Sequence, residues 1–426
     1  MLKIRIILQL FKAFFRPKFT NRQVLTQYQQ ERLAKHLAWV KSHSPFYKKL
    51  QNVDFQELPI FDKSKMMENF DDLNTKNIKK ETALRIATAA ENSRNFQETL
   101  PEGITVGLSS GTSGNKGIFL ATESERAQWV AEILQRVLPI RLGKKQKIAF
   151  FLRSNSTLYQ SIKSNFFDFH FFDLAKPFPT LIEQVFDFQP DILIAPPSAL
   201  LEIAQKIEQD NLSFCPEKVV SVAEVLEKDI QKRLEAVFKQ RIHQVYQATE
   251  GFLGSTCAHG TLHLHEDLIY FEKKYIDDAQ TAFYPIISDF NRRTQPMLRY
   301  ELNDILHERQ TPCPCGSVLL AIDHIEGRSD DILDFNGIKI FPDFFRYAVL
   351  LASDDVLNFQ ITQKTNNQLL VKLKTSNTDF EKVSILVKNR IENLLKERGV
   401  THYNIQIEPL KHDDFFNKFR RVVKSL

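Results

Sequence analysis

Cysteine is scarce in this chain of 426 residues, which contains only four. Four thiols in so long a chain exclude a disulfide-stapled scaffold, and we expect a reducing, cytoplasmic setting. Two of them, Cys313 and Cys315, stand one residue apart, a spacing that favours metal ligation over cross-linking.

A strong charge of one sign is also lacking. The chain carries 57 basic and 52 acidic residues, for a net charge of +5, so we expect no nucleic-acid partner. A hydrophobic share of 43% and a charged share of 26% are typical of folded proteins with a sizeable core. The length predicts two or three domains and leaves the oligomeric state open.

Long uncharged apolar runs are missing, since none approaches the roughly 20 residues of a membrane-spanning helix. Residues 1–15 come nearest, but basic side chains interrupt them, and six basic residues precede the first acid, Glu31. The small-residue cleavage site of a secretory signal does not follow. We predict an amphipathic helix packed on its own domain, the alternative being at most weak contact with an anionic membrane surface.

Apolar strands alternate with amphipathic helices through most of the chain. The β-rich runs begin at Lys147, Asp191 and Lys218, and the helical patterns cover residues 123–138, 198–209 and 230–238. The alternation predicts an α/β fold, with a large N-terminal domain of layered sheets and helices over residues 1–330.

The pattern changes after about residue 330. Residues 368–374 alternate as in a strand, 379–398 form a long helical pattern stopped by Gly399, and 404–408 form a second strand. These elements predict a small C-terminal α+β domain over residues 331–426.

Glycine is scarce as well, with 13 in all, yet five lie within residues 103–117. Such a loop can bind an anion through backbone N–H groups, hydroxyls and one lysine, and we expect the ligand to be phosphate. Asn115 and Gly117 flank the lysine, which excludes a Walker loop. The predicted phosphate-binding residues are Ser109, Ser110, Gly111, Thr112, Ser113, Gly114 and Lys116.

A second cluster combines thiols with an imidazole. Cys257 and His263 join Cys313 and Cys315 to give a Cys3His set suited to structural Zn²⁺. His259 or His265 could replace His263 as the ligand. The alternative is a set of free buried thiols.

Four further segments follow the glycine-rich loop in order: YQATEG from Tyr246, MLRYELND from Met297, IEGRSDDIL from Ile325 and NKFRR from Asn417. With the loop they resemble the motifs of the acyl-adenylate-forming superfamily. The opening SPFYKKL segment is similar to its phenylacetate-CoA ligase branch, closest to deazaflavin-adenylating synthetases. The resemblance covers essentially the whole chain.

The resemblance implies ATP-dependent adenylation of a small-molecule carboxylic acid, followed by transfer of the acyl group to an acceptor, coenzyme A. Two alternatives remain: AMP transfer to a hydroxyl of a deazaflavin-like acceptor, and a non-catalytic nucleotide-binding protein. By the same resemblance, Thr112 and Lys116 hold the leaving phosphates. Tyr246, the first residue of its motif, is a further nucleotide-binding residue, and Thr249 contacts the α-phosphate. Glu250 holds Mg²⁺, which prefers hard oxygen ligands.

The later motifs imply the remaining roles. Asp304 accepts from the ribose hydroxyls, and Arg328 lies near ribose and phosphate. Asp330 is the pivot of a mobile small domain, and Lys418 swings in to neutralise charge during adenylation.

Two matches are looser. Ala223 and Glu224 correspond to the loop beside adenine. The chain also departs from the family pattern at Gln247, at residues 301–303 and at Asn417. None of these departures removes a charged group that the resemblance assigns to nucleotide binding.

Overall fold

The computed structural model describes residues 2–93, 99–108, 117–138, 144–152, 167–174, 176, 178–328, 331–353, 355–376, 379–411 and 420–424. The chain divides into two compact units. The larger comprises Met1–Leu302 and His307–His324, and the smaller comprises Asn303–Leu306 and Ile325–Leu426. The predicted domains, residues 1–330 and 331–426, stay a prediction.

The described α-helices lie between Leu2 and Glu397. They are α1 (Leu2–Phe14), α2 (Arg22–His43), α3 (Pro45–Lys48), α4 (Lys63–Glu68), α5 (Phe70–Leu73), α6 (Lys80–Ser93), α7 (Glu123–Arg136), α8 (Phe178–Phe188), α9 (Pro197–Asp210), α10 (Lys228–Phe238), α11 (Pro342–Leu350) and α12 (Phe380–Glu397). Within the described ranges, no helix is both long and apolar enough to cross a membrane.

The described strands begin at Thr105 and continue to Lys424. They are β1 (Thr105–Leu108), β2 (Ile118–Ala121), β3 (Gln146–Leu152), β4 (Phe167–Asp173), β5 (Ile192–Ala195), β6 (Lys218–Ser221), β7 (Ile242–Ala248), β8 (Gly251–Thr256), β9 (Leu262–Leu264), β10 (Ile269–Tyr275), β11 (Ala282–Asp289), β12 (Tyr300–Glu301), β13 (Asp304–Glu308), β14 (Ala321–Arg328), β15 (Leu333–Phe335), β16 (Ile338–Ile340), β17 (Val356–Thr365), β18 (Gln368–Thr375), β19 (Asn404–Pro409) and β20 (Val422–Lys424).

A parallel sheet forms the centre of the larger unit. Its strands run in the order β4-β3-β5-β6-β7, with each neighbouring pair parallel, and β8 and β9 continue it antiparallel. All four residues of β5 are buried, as expected for a parallel strand covered on both faces. Leu181 of α8, Leu200 of α9 and Leu234 of α10 share one core with Phe151 and Phe172 of the sheet. The α/β prediction is confirmed.

Local sequence signals set several boundaries of these elements. Thr122 and Glu125 form a reciprocal capping box at the start of α7, and Pro197 occupies the first turn of α9. The runs predicted from Lys147, Asp191 and Lys218 are strands, and the three predicted helical patterns are helices.

The smaller unit has its own mixed sheet and its own core. The strand order is β19-β18-β17-β20, in which β17 and β18 are antiparallel and both outer pairs are parallel. Val383, Val387 and Ile391 of α12 pack with Phe359 of β17 and Phe345 of α11. The strands and the long helix predicted for this region are confirmed.

Candidate active site

Two predicted site segments leave the parallel sheet at the same edge. Ala223 and Glu224 follow β6, while Thr249 and Glu250 follow β7 directly. Because β6 and β7 are parallel neighbours, their carboxyl ends lie side by side. In open α/β sheets, ligands bind in the crevice beyond these ends.

Thr249 and Glu250 form the turn of a tight hairpin. The strands on either side pair antiparallel, with Ala248 opposite Gly251. Arg292 Nη1 donates to the carbonyl oxygens of Thr249, at 2.9 Å, and Glu250, at 2.8 Å. The guanidinium thus holds the backbone of the turn that carries Glu250.

The Glu250 side chain is held by a residue from another motif. Glu250 is 8% exposed, and the Tyr300 hydroxyl donates to its Oε1 at 3.1 Å. A carboxylate oriented by a neutral donor is a suitable oxygen ligand for Mg²⁺.

A second carboxyl group lies beside this hairpin. A Cβ atom added at Gly251 would lie 3.6 Å from Asp289 Oδ2. Burial raises the pKa of Asp289 to about 6, against the lowering effect of the hydrogen bond from the Asn291 backbone. Sequence reasoning did not single out Asp289.

The strands flanking the glycine-rich loop form a hairpin of their own. Leu108 of β1 pairs with Ile118 of β2, so the two ends of the loop meet. Gln295 fixes β2 by accepting from the Leu120 backbone at 2.9 Å and donating to the Ile118 carbonyl at 3.1 Å. The predicted phosphate-binding residues themselves, 109–116, lie outside the described residues.

Arg292 also contacts the β2 side of this loop. Its guanidinium carbon lies 5.8 Å from the centre of the Phe119 ring, a cation–π distance. One arginine therefore contacts both the strand that leaves the glycine-rich loop and the turn that carries Glu250.

In the smaller unit, the predicted ribose and hinge residues meet. Arg328 Nε lies 3.4 Å from Asp304 Oδ1, and both side chains are mostly buried. Gly327 precedes the arginine at a φ of +137°, a conformation that is essentially restricted to glycine. The Glu326 carbonyl accepts from Arg346 Nη1 at 2.8 Å, which fixes the backbone of this motif.

The hinge and terminal motifs also meet, although Asp330 and Lys418 lie outside the described residues. The neighbouring residues Asp331 and Arg420 form an ion pair. Beyond Arg420, Val422–Lys424 pairs with β17 as β20, so the chain after the predicted lysine is anchored to the small sheet.

Ala223 and Glu224, the residues predicted beside adenine, are described by an unusual backbone conformation and a side-chain hydrogen bond. Ala223 has a φ of +67°, a left-handed conformation that is uncommon for alanine. Glu224 Oε2 accepts from the Ser198 backbone N–H in the first turn of α9, at 3.2 Å. Tyr246 is buried within β7 at 7% exposure.

The four predicted zinc ligands form one cluster in the larger unit. The ligand atoms of Cys257, His263, Cys313 and Cys315 all lie within 4.8 Å of one another. Within the set, Cys257 Sγ lies 3.7 Å from Cys313 Sγ, and Cys315 Sγ lies 3.4 Å from His263 Nε2. Tetrahedral ligands about 2.3 Å from zinc lie about 3.8 Å apart, so the set fits the metal.

Contacts around the cluster select the histidine. His263 Nδ1 lies 3.0 Å from the Leu319 carbonyl, which leaves Nε2 for the thiols. His265 is occupied elsewhere, since its nitrogens contact Ser255 Oγ at 2.9 Å and the Phe252 carbonyl at 3.1 Å. His263, rather than His259 or His265, is the histidine of the cluster.

The pKa values of the Cys313 and Cys315 thiols are shifted in opposite directions. Burial would raise the pKa of Cys313, but hydrogen bonds from Thr261, the Cys315 backbone and His263 lower it to about 6. Burial raises the pKa of Cys315, and contact with the neighbouring thiols raises it further. A thiolate is therefore favoured at Cys313, and thiolate is the form that binds zinc.

Tyr300 and Arg292 are the positioning residues that sequence reasoning missed. Tyr300 lies inside the quoted MLRYELND segment, so its motif was found but its contact with Glu250 was not. Arg292 lies in no motif, and its position in the sequence carried no signal.

The comparisons with known proteins agree on the fold. No family model matches the chain. A segment of 102 residues, 23% of the chain, is 28% identical to phenylacetate-coenzyme A ligase of Thermus thermophilus and spans 23% of that ligase.

Two solved structures match nearly the whole chain. 2-Hydroxyisobutyryl-CoA ligase in the postadenylation state, in complex with R3-HIB-AMP, superposes with a TM-score of 0.67 at 15% identity, covering 94% of this chain and 89% of that one. The GH3.15 acyl acid amido synthetase in complex with 2,4-DB gives 0.64 at 13% identity, covering 100% and 94%. The chain therefore shares the fold of these acyl-adenylate-forming ligases, and its sequence motifs resemble those of the same superfamily.

Proposed function

We propose that this protein activates a small-molecule carboxylic acid with ATP and then transfers the acyl group to coenzyme A. The contact between Glu250 and Tyr300 carries the proposal, because it joins two motifs fifty residues apart at the ligand-binding edge of the sheet. The paired Asp304 and Arg328 give further support as candidate ribose and phosphate contacts.

Two transfers make up the proposed reaction. A carboxylate oxygen of the acid attacks the α-phosphorus of ATP, the bond to pyrophosphate breaks, and an acyl-AMP results. The thiol of coenzyme A then attacks the acyl carbon, its proton passes to solvent, and AMP leaves. Both steps need preorganised donors around the phosphate oxygens.

Each proposed contact has one task in this scheme. Thr112 and Lys116 hold the departing phosphates, Thr249 contacts the α-phosphate, and Lys418 neutralises charge during adenylation. Mg²⁺ held at Glu250 would screen the phosphate charge. Asp330 is the proposed pivot between the two half-reactions.

We also propose structural zinc at Cys257, His263, Cys313 and Cys315. Two tight turns support the site: Gly260 N–H donates to the Cys257 carbonyl at 2.9 Å, and Gly316 N–H donates to the Cys313 carbonyl at 3.1 Å. Gly260 and Gly316 both have positive φ, which such turns accommodate most easily with glycine. The metal would tie the β8–β9 turn to the segment before β14.

An exchange assay tests the proposed reaction. Labelled pyrophosphate should enter ATP only when a suitable member of a panel of aromatic and fatty acids is present, and coenzyme A should then release an acyl thioester. Exchange that needs no carboxylate would favour AMP transfer to a hydroxyl of a deazaflavin-like acceptor. Nucleotide binding with no exchange under any acid would favour a non-catalytic protein.

A further inference from the structure

Helix α1 has a large apolar face that the described structure leaves uncovered. Five large apolar side chains of α1, and Phe15 directly after it, are more than half exposed: Ile4 at 65%, Ile7 at 65%, Leu8 at 58%, Phe11 at 64%, Phe14 at 51% and Phe15 at 72%. At 100° per residue they fall within about 120° of the helix circumference, on one continuous stripe. We call these six residues the α1 stripe.

The opposite face of α1 packs on the protein. Ile6 and Ala13 are 6% and 5% exposed, and the helix lies against α7. Because the buried residues lie across the helix from the α1 stripe, packing on the larger unit turns the stripe outward. The predicted packing of this helix is confirmed, and it leaves the six residues of the α1 stripe exposed.

Ion pairs hold α1 in this orientation. Arg16, just beyond the helix, donates to Glu132 of α7 at 2.8 Å and to Asp267 at 3.0 Å. Both acids are buried, so the attachment is shielded from water. Near the other end, Arg5 lies 3.7 Å from Glu123 at the start of α7.

The charged residues of α1 and of the segment that follows it are all basic. Among the first 30 residues there is no acid. Lys12 and Lys18 are exposed and make no ion pair with any residue that the structure describes. A second copy of the chain, meeting this face with its own, would bring like charges together, whereas an anionic surface would neutralise them.

We propose that the α1 stripe binds an anionic membrane surface, with α1 lying in the plane of the lipid headgroups. Apolar side chains on one face and cations beside them are the features by which interfacial helices bind lipid. The helix of 13 residues is too short to span a bilayer, so the mode is lying on the surface. Membrane attachment would bring the proposed ligase close to lipophilic acids.

Vesicle sedimentation of the full chain tests the proposal. Wild type should bind vesicles of mixed phosphatidylcholine and phosphatidylglycerol, bind phosphatidylcholine alone weakly, and lose binding as salt rises. The double variant Leu8→Glu and Phe11→Glu should bind at least about tenfold more weakly. The matched double variant Leu351→Glu and Ile385→Glu alters exposed apolar residues elsewhere, at 66% and 60% exposure, and should bind like wild type.

A neutral variant and a size measurement complete the test. Leu8→Gln with Phe11→Gln should also weaken binding while its circular dichroism and melting match wild type, because both positions are exposed. Equal vesicle binding by wild type and both α1 variants would overturn the proposal. Failure of the wild type to bind mixed vesicles would also overturn it. In that case, a dimer that light scattering detects and that the α1 variants dissociate would identify a second copy of the chain as the partner of the stripe.

Discussion

At the residue scale, the candidate active site depends on groups that orient other groups. Glu250 takes its orientation from the Tyr300 hydroxyl, and the turn that carries it takes its shape from Arg292. A side chain held in one rotamer loses little entropy when it engages a metal or a phosphate. Loss of such a support should lower the rate without changing the fold.

Tyr300→Phe removes one hydroxyl and keeps the ring. We expect acid-dependent ATP–pyrophosphate exchange to fall about tenfold, the scale of one hydrogen bond to a charged group. The effect should depend on Mg²⁺ concentration, because the altered group is the proposed metal ligand. Tyr275→Phe, at a tyrosine that is 37% exposed, is the control and should leave exchange unchanged. Equal rates for all three proteins would contradict the role of Tyr300.

Lys418→Ala tests the residue assigned to charge neutralisation. Single-turnover formation of acyl-AMP should slow by roughly 10²- to 10³-fold, as when one preorganised charge contact is lost. Lys411→Ala, seven positions earlier in the same tail, is the matched control and should retain the rate. Unchanged acyl-AMP formation in the Lys418 variant would refute this assignment.

At the scale of elements, sequence periodicity predicts the helices and strands, but it does not predict contacts between distant segments. The strands from Lys147, Asp191 and Lys218 and the helix over 379–398 follow from apolar spacing, capping and a terminal glycine. The contact of Tyr300 with Glu250 joins residues 50 positions apart, and no local pattern encodes it. Likewise, the spacing of apolar residues predicts that α1 is an amphipathic helix. Which of its faces is buried follows only from its packing against α7.

Disruption of the Cys3His cluster should lower both the zinc content and the thermal stability of the protein. Cys313→Ser should lower zinc content and lower Tm by more than about 5 °C, because the metal would add a cross-link to the β9–β14 pairing that already joins the two segments. Cys215→Ser, at an exposed cysteine outside the cluster, is the control and should change neither quantity. Elemental analysis that finds no zinc in the wild-type protein would refute the metal site.

At the scale of the whole molecule, buried histidines make stability depend on pH. His36 is 4% exposed, and neither of its ring nitrogens has a hydrogen-bond partner in the described structure. Burial, together with the positive charges of Arg293 and Arg32 and against the raising effect of Glu125, lowers its pKa to about 3. The unfolded chain therefore binds a proton that the folded chain does not, and stability falls as pH drops below about 6.5.

His36→Phe should flatten this acid destabilisation. The difference in unfolding free energy between wild type and variant should change by about 2 kcal/mol from pH about 6.5 to pH about 5. Thermal melts at several pH values measure it, with the exposed His402→Phe as the control that keeps the wild-type slope. Parallel pH profiles for all three proteins would contradict neutral burial of His36.

The central claim is that this chain binds ATP together with Mg²⁺, and titration calorimetry of the purified protein tests it most directly. The account predicts saturable binding of Mg²⁺–ATP with a Kd at or below about a millimolar, and weaker binding when EDTA removes the metal. No detectable binding of Mg²⁺–ATP, by a protein whose circular dichroism confirms that it is folded, would contradict it.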